Sequence, residues 1–104
     1  MHDLSFYTKF EKILDVRNNL KTSENTSLET YKFFKVLNYC LRSLKDEYRM
    51  ILTKTYFERS YQFWWLDYYC KSSFYRKRYW AIVGFVCLFE MIYENFNDSS
   101  SYFN

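Results

Sequence analysis

One glycine and no proline in 104 residues constrain this chain more than any other feature. Tight turns between strands draw on Gly, Pro and Asn-Gly or Asp-Gly pairs, because the backbone there must be left-handed or have φ locked. No such pair occurs. Helices joined by Ser, Thr, Asn and Asp caps do without them, so the chain is expected to be all-α. Its length fits one domain and is enough to bury a core without disulfide or metal staples. Apolar residues make up 49% and aromatic residues 25%, with 12 Tyr and 11 Phe. That excludes the disordered class, which lacks the apolar surface to offset its chain entropy, and implies a core of ring on ring. The richness in Tyr, Phe, Asn and Lys is also what an AT-rich coding sequence would give, so tyrosine abundance carries no functional weight.

The net charge of +3, from 15 basic and 12 acidic residues, is too small to imply nucleic acid by itself; the distribution has to carry that case. Cys40, Cys70 and Cys87 are far apart, odd in number and form no C-x-x-C. Neither a disulfide framework nor a zinc site is expected, and reduced, mostly buried thiols are. His2, the lone histidine, lies at the terminus and receives no role. The charged N-terminus lacks the apolar core of a secretion signal. Tyr79 to Tyr93 is the most apolar run, but it is shorter than the ~20 residues of a membrane span and is interrupted by Glu90. The expectation is a cytoplasmic protein with no membrane segment. There is no His or Cys pair to serve as base and nucleophile, no Gly-rich phosphate loop and no carboxylate cluster at metal spacing. An enzyme is not expected, nor a cofactor or metal.

Helical periodicity organises the rest. Tyr7, Phe10, Ile13, Leu14 and Leu20 define a first helix near residues 4 to 20, with Phe6 and Val16 off the pattern. Residues 21 to 26 are polar and read as a loop. Thr26 and Glu29 have capping-box spacing. Leu28, Tyr31, Phe34, Leu37 or Val36, Leu41 and Leu44 then form the stripe of a second helix over about 27 to 43. Ser43 and Asp46 mark a third start, with Tyr48, Ile51, Leu52, Tyr56 and Phe57 inside. A fourth helix, Tyr61 to Tyr69, precedes a fifth that is capped within Cys70 to Ser73 and runs to about Asn95; a polar, mobile tail from 97 onward follows. The expected fold is a compact bundle of about five helices in a single domain. Residues 1–43 form an N-terminal pair, 44–96 a helix-turn-helix half, and 97–104 the tail.

The fifth helix carries a core stripe of Phe74, Ala81, Phe85 and Leu88, joined by Ile82 and Phe89. Gly84 inside it costs roughly 1 kcal/mol relative to Ala. Ser72, Tyr75, Arg76 and Tyr79 form a second stripe. Lys71, Arg76, Lys77 and Arg78 are basic, and no acidic residue lies between Lys71 and Trp80. Beyond Trp80, Val83, Val86, Cys87 and Met91 add more apolar surface than one face can use. Packing on the N-terminal helices or a homodimer through the last helix would absorb it.

Three segments carry a family resemblance: Tyr48-Arg49-Met50-Ile51-Leu52, Thr55-Tyr56-Phe57-Glu58, and Lys71-Ser72-Ser73-Phe74-Tyr75-Arg76-Lys77-Arg78 followed by Ala81-Ile82. With them, the stretch from Leu44 to Phe89 resembles region 4 of bacterial sigma factors, and more closely the phage late-gene transcription regulators of the ArpU/RinA type. The resemblance covers under half of the chain. It implies a helix-turn-helix whose recognition helix opens at the Ser-Ser-Phe-Tyr-Arg block. Where that family places Gly before the recognition helix, this chain has Tyr68, Tyr69 and Cys70, and Arg78 stands where an apolar residue is common.

Two functional readings follow. In the first, the protein is a transcription regulator that binds duplex DNA. Ser72 and Ser73 meet phosphates at the helix N-terminus, although one of them is also expected to be the N-cap. Tyr75, Arg76 and Tyr79 reach base edges, while Lys71 and Lys77 contact the backbone. Arg78 is assigned a structural ion pair with Asp46, Glu47 or Glu58. In the second reading, Trp64, Trp65, Tyr68 and Tyr69 form a surface that grips a protein partner. The competing assignment for that cluster is simply core, and its use as a stacking platform for unpaired bases is a further alternative.

Overall fold

The computed structural model describes residues 4–22, 27–58 and 60–101, with the side chains of residues 22 and 94–101 left aside. Four α-helices follow in order: α1 Ser5–Thr22, α2 Leu28–Ser43, α3 Asp46–Leu52 and α4 Lys71–Ser101. Between α3 and α4 come a π turn at Thr53–Phe57 and a single 3-10 turn at Trp64–Asp67. No strand occurs among the described residues, so the fold is all-α, as the near-absence of Gly and Pro requires. At 31 residues, α4 is about 46 Å long, which accounts for the molecule's 50 Å long dimension. It packs against each of α1, α2 and α3 and is the axis on which the rest is laid.

The main core is where three helical stripes meet. Phe10 and Ile13 of α1, Phe33, Val36, Leu37 and Cys40 of α2, and Ala81, Ile82, Phe85, Val86 and Phe89 of α4 are buried together with Leu52. Its rings interlock edge to face, with Phe10 against Phe85 at 5.5 Å and Phe33 against Phe89 at 5.6 Å, the arrangement the ring quadrupole favours. Phe6, Tyr7, Leu14 and Leu20 cover its edge, while Val16 is exposed. Gly84 is the close-approach point, since a Cβ there would stand 3.2 Å from Leu44 Cδ2.

Several expectations shift. In α2 the buried stripe is Phe33-Val36-Leu37-Cys40, whereas Leu28 and Tyr31 are exposed; two apolar stripes overlap on this helix, and α4 covers the one nearer its axis. The α2 cap is Ser27, whose hydroxyl accepts the Thr30 N–H at 3.3 Å; Thr26 lies outside the described residues. The expected third helix stops at Leu52 and loosens into the π turn, closed by the Glu58 N–H donating to the Thr53 carbonyl at 2.8 Å. The widened turn still lets Tyr56 and Phe57 pack on the main core.

The expected fourth helix, Tyr61 to Tyr69, condenses to the 3-10 turn. Adjacent Trp64 and Trp65 are both buried there with Ile51 and Phe74 in a second, smaller core. Both indoles pack on Phe74 of α4, Trp65 stacked at 4.6 Å and Trp64 edge-on at 5.8 Å between ring centres. Finally, α4 continues through residues 97–101 as helical backbone rather than ending near Asn95, and residues 102–104 lie outside the described set.

Candidate nucleic-acid interface

The start of α4 is set by Cys70. Its carbonyl accepts the Phe74 N–H at 2.9 Å, and its sulfur sits 3.7 Å from the Ser72 hydroxyl. The Ser73 backbone N–H and then the Ser72 hydroxyl hold the Cys70 thiol below its ordinary range, as donors at a helix N-terminus do for a thiolate. Cys70, rather than Ser72 or Ser73, therefore occupies the cap position. Ser72 is exposed and Ser73 half-buried.

From that start, Lys71, Ser72, Tyr75 and Arg76 face solvent, Tyr75 at 40% exposure. The Lys71 ammonium lies 5.9 Å from the Tyr75 ring. Tyr79 does not join them. It is only 5% exposed and packs on Phe6 and Tyr7 of α1, at 6.5 and 5.8 Å between ring centres. The stripe from Ser72 to Tyr79 runs along the edge of α4, and by Tyr79 it has passed beneath α1. A base contact from Tyr79 is thereby removed.

Lys77 is half-buried and donates to Glu47 Oε1 at 3.0 Å. The same carboxylate accepts the Tyr69 hydroxyl at 2.9 Å on Oε2. Glu47 thus ties α3, the loop and α4 together. The Lys77 hydrogen bond, then that of Tyr69, holds its carboxyl below the usual range. Desolvation first, and then the bond to Glu47, push the Tyr69 hydroxyl up to about 12. Lys77 is accordingly taken by an internal pair and is not an outward backbone contact. Arg78 forms none of the ion pairs expected for it. Asp46 is taken by Arg49 and Glu47 by Lys77, and the Arg78 guanidinium lies 4.8 Å from the Tyr75 ring and 5.9 Å from Phe74.

The aromatic surface is also redistributed. Trp64 and Trp65 are 9% and 6% exposed, with Trp65 stacked on Phe74 at 4.6 Å and Trp64 Nε1 donating to Thr55 Oγ1 at 3.2 Å. They are core, which removes them from any partner surface. Tyr69 is half-buried at Glu47, and Tyr68 alone of the four is exposed, at 66%. Tyr61, Phe63 and Leu66 stand exposed around it instead.

Sequence reasoning named Glu47 only as a candidate partner of Arg78, and Cys70 only as the first residue of the capping segment; it did not foresee the bonds of Glu47 to Tyr69 and Lys77. Glu47 acts across separations of 22 and 30 residues, for which no local pattern gives a signal. Cys70 lies two residues before the Ser-Ser pair, at the first position of the segment expected to cap the helix. Among the described residues no group of His, Cys, Asp and Glu could hold a metal ion, and no helix is long and apolar enough to cross a membrane. No protein-family model, characterised protein or solved structure matches the chain.

Proposed function

We propose that the protein is a DNA-binding regulator of transcription that engages duplex DNA with the first turns of α4. The observation carrying this reading is that Lys71, Ser72, Tyr75 and Arg76 stand together in solvent at the start of a helix with no acidic residue before Glu90. A helix N-terminus offers N–H groups and the positive end of the dipole to a phosphate, and the Ser72 hydroxyl adds a donor. Arg76 is placed to read guanine through two parallel hydrogen bonds, with Tyr75 beside it. Lys71 supplies sequence-independent affinity.

The reduced set of outward cations makes the reading quantitative. Two or three neutralised phosphates give log K a slope of about −2 to −3 against log salt. Raising salt from about 50 to 200 mM should therefore weaken duplex binding about 10- to 40-fold, measured by fluorescence anisotropy. Lys71→Ala with Arg76→Ala should abolish most of that slope without loss of helicity. Absence of salt-sensitive binding at low salt sinks the reading.

A second reading rests on a different observation. Tyr61 (73% exposed), Leu66 (58%) and Tyr68 (66%) are large side chains left exposed on the loop before α4, as at sites that dock on proteins. If it grips a partner, replacing these residues with Ser abolishes partner capture while circular dichroism stays unchanged. Trp80, exposed Cys87 and Met91 provide a comparable stripe along α4 for a homodimer, which light scattering after size exclusion measures directly.

A further inference from the structure

Beside the start of α4, between it and the π turn, lies a cavity of about 190 Å³, well above the ~10–15 Å³ one water requires. Among the described residues its lining carries two cations, Lys54 and Arg78, and no carboxylate. Neither cation has an acidic partner among the described residues. Both instead lie against ring faces, Lys54 Nζ at 5.5 Å from Trp64 and Arg78 Cζ at 4.8 Å from Tyr75. Arg78 Nε is buried with no hydrogen-bond partner, although buried polar groups are as a rule satisfied. Thr55, Ser60, Tyr61 and Tyr75, each bearing a hydroxyl, line the same space. The Thr55 oxygen accepts the Trp64 indole N–H, which leaves its own proton to donate.

Two cations without an acidic partner among the described residues, one of them a guanidinium, and four hydroxyl-bearing side chains describe the complement of a compact, doubly charged oxyanion. Guanidinium binds such groups through two parallel N–H bonds, and a phosphate monoester or inorganic phosphate carries ≈ −1.5 to −2 at neutral pH. We propose that this cavity is a binding site for a free phosphate group, held by Arg78 and Lys54. A diester in a DNA backbone shares the chemistry but carries one charge rather than two, and the two sources separate by experiment. The site does not depend on the DNA reading.

The test is a titration of the full chain with inorganic phosphate, ionic strength held with sodium chloride, followed by tryptophan fluorescence, since Trp64 and Trp65 both line the cavity. A saturable change is expected that chloride alone does not give. Arg78→Gln, which removes the charge and the paired N–H donors, should weaken it by at least about tenfold. If Arg78→Gln loses helicity, Lys54→Gln carries the test, with a smaller but measurable loss expected at unchanged helicity. A response identical to chloride, or variants that titrate like the parent, overturns the site. Added duplex that displaces the phosphate overturns the free-ester assignment in favour of a backbone phosphate; phosphate retained on a duplex-bound chain supports it. A chain that binds phosphate but no duplex supports the site and sinks the DNA reading alone.

Discussion

The two cores of this molecule are built by opposite means. The main core joins α1, α2 and α4, each a regular helix whose backbone is satisfied within itself, so that its side chains need only pack. The second core of Ile51, Trp64, Trp65 and Phe74 lies under a segment with a single 3-10 turn, and there the indoles themselves hold the chain in place. The first core is filled mainly from regular helices; the second takes Ile51 and Phe74 from helices but both indoles from the irregular segment. The candidate DNA face and the phosphate cavity both adjoin the second core, where the structure depends most on tertiary contacts.

The sharpest way to break this contrast is to hollow each core in turn. Phe85→Ala, fully buried among Phe10, Phe57 and Phe89, should cost about 3–5 kcal/mol. That is a large fraction of the ~5–15 kcal/mol typical of a domain, read as the shift in a urea unfolding midpoint. Trp65→Ala should cost about 3 kcal/mol, at the low end for such a change, and should act locally. Amides from 60 to 70 would then exchange faster while those of α1 and α2 stay protected. Equal loss of protection in both regions would show that the two cores form one cooperative unit.

A smaller effect is expected from the link between the regions. Glu47→Gln removes the Lys77 pair and weakens the acceptor for Tyr69, at about 1 kcal/mol for a partly exposed ion pair. Because the folded-state carboxyl is held below its unfolded value, its contribution is fully present above the unfolded carboxylate range and is lost as pH falls through the folded one. The variant should therefore lose less stability than the parent on going from about pH 5 to pH 3. A parallel pH profile for the two proteins would contradict the assignment.

The smallest perturbation is a thiol count. Cys40 lies fully buried in the main core, and desolvation raises its thiol to about 11. Cys70 and Cys87 are exposed, against the expectation of mostly buried thiols, because both lie on the face of α4 or its cap that no other helix covers among the described residues, and the Ser73 N–H lowers Cys70. A chromogenic disulfide reagent should therefore react fastest at Cys70, more slowly at Cys87, and at Cys40 upon unfolding. Rapid labelling of Cys40 in the native protein would mean that the main core opens more readily than the loop.

Local pattern was enough for the helical class, the extents of α1 and α2 to within a residue or two, and the α4 stripe of Phe74, Ala81, Ile82, Phe85 and Phe89. Those features follow from periodicity and from the lack of turn formers, which act over a few residues. It also brought out Lys71, Ser72, Tyr75 and Arg76, which do face solvent. Which of two overlapping stripes α2 buries, the collapse of Tyr61 to Tyr69 into one turn, the burial of Tyr79 under α1 and the capture of Lys77 by Glu47 were decided by tertiary structure alone. Each depends on a neighbour beyond the reach of a local pattern, from Thr55 and Phe74 around the indoles to Phe6 and Tyr7 over Tyr79, and a run of aromatic residues is compatible with helix, loop or surface until the space it must fill is known.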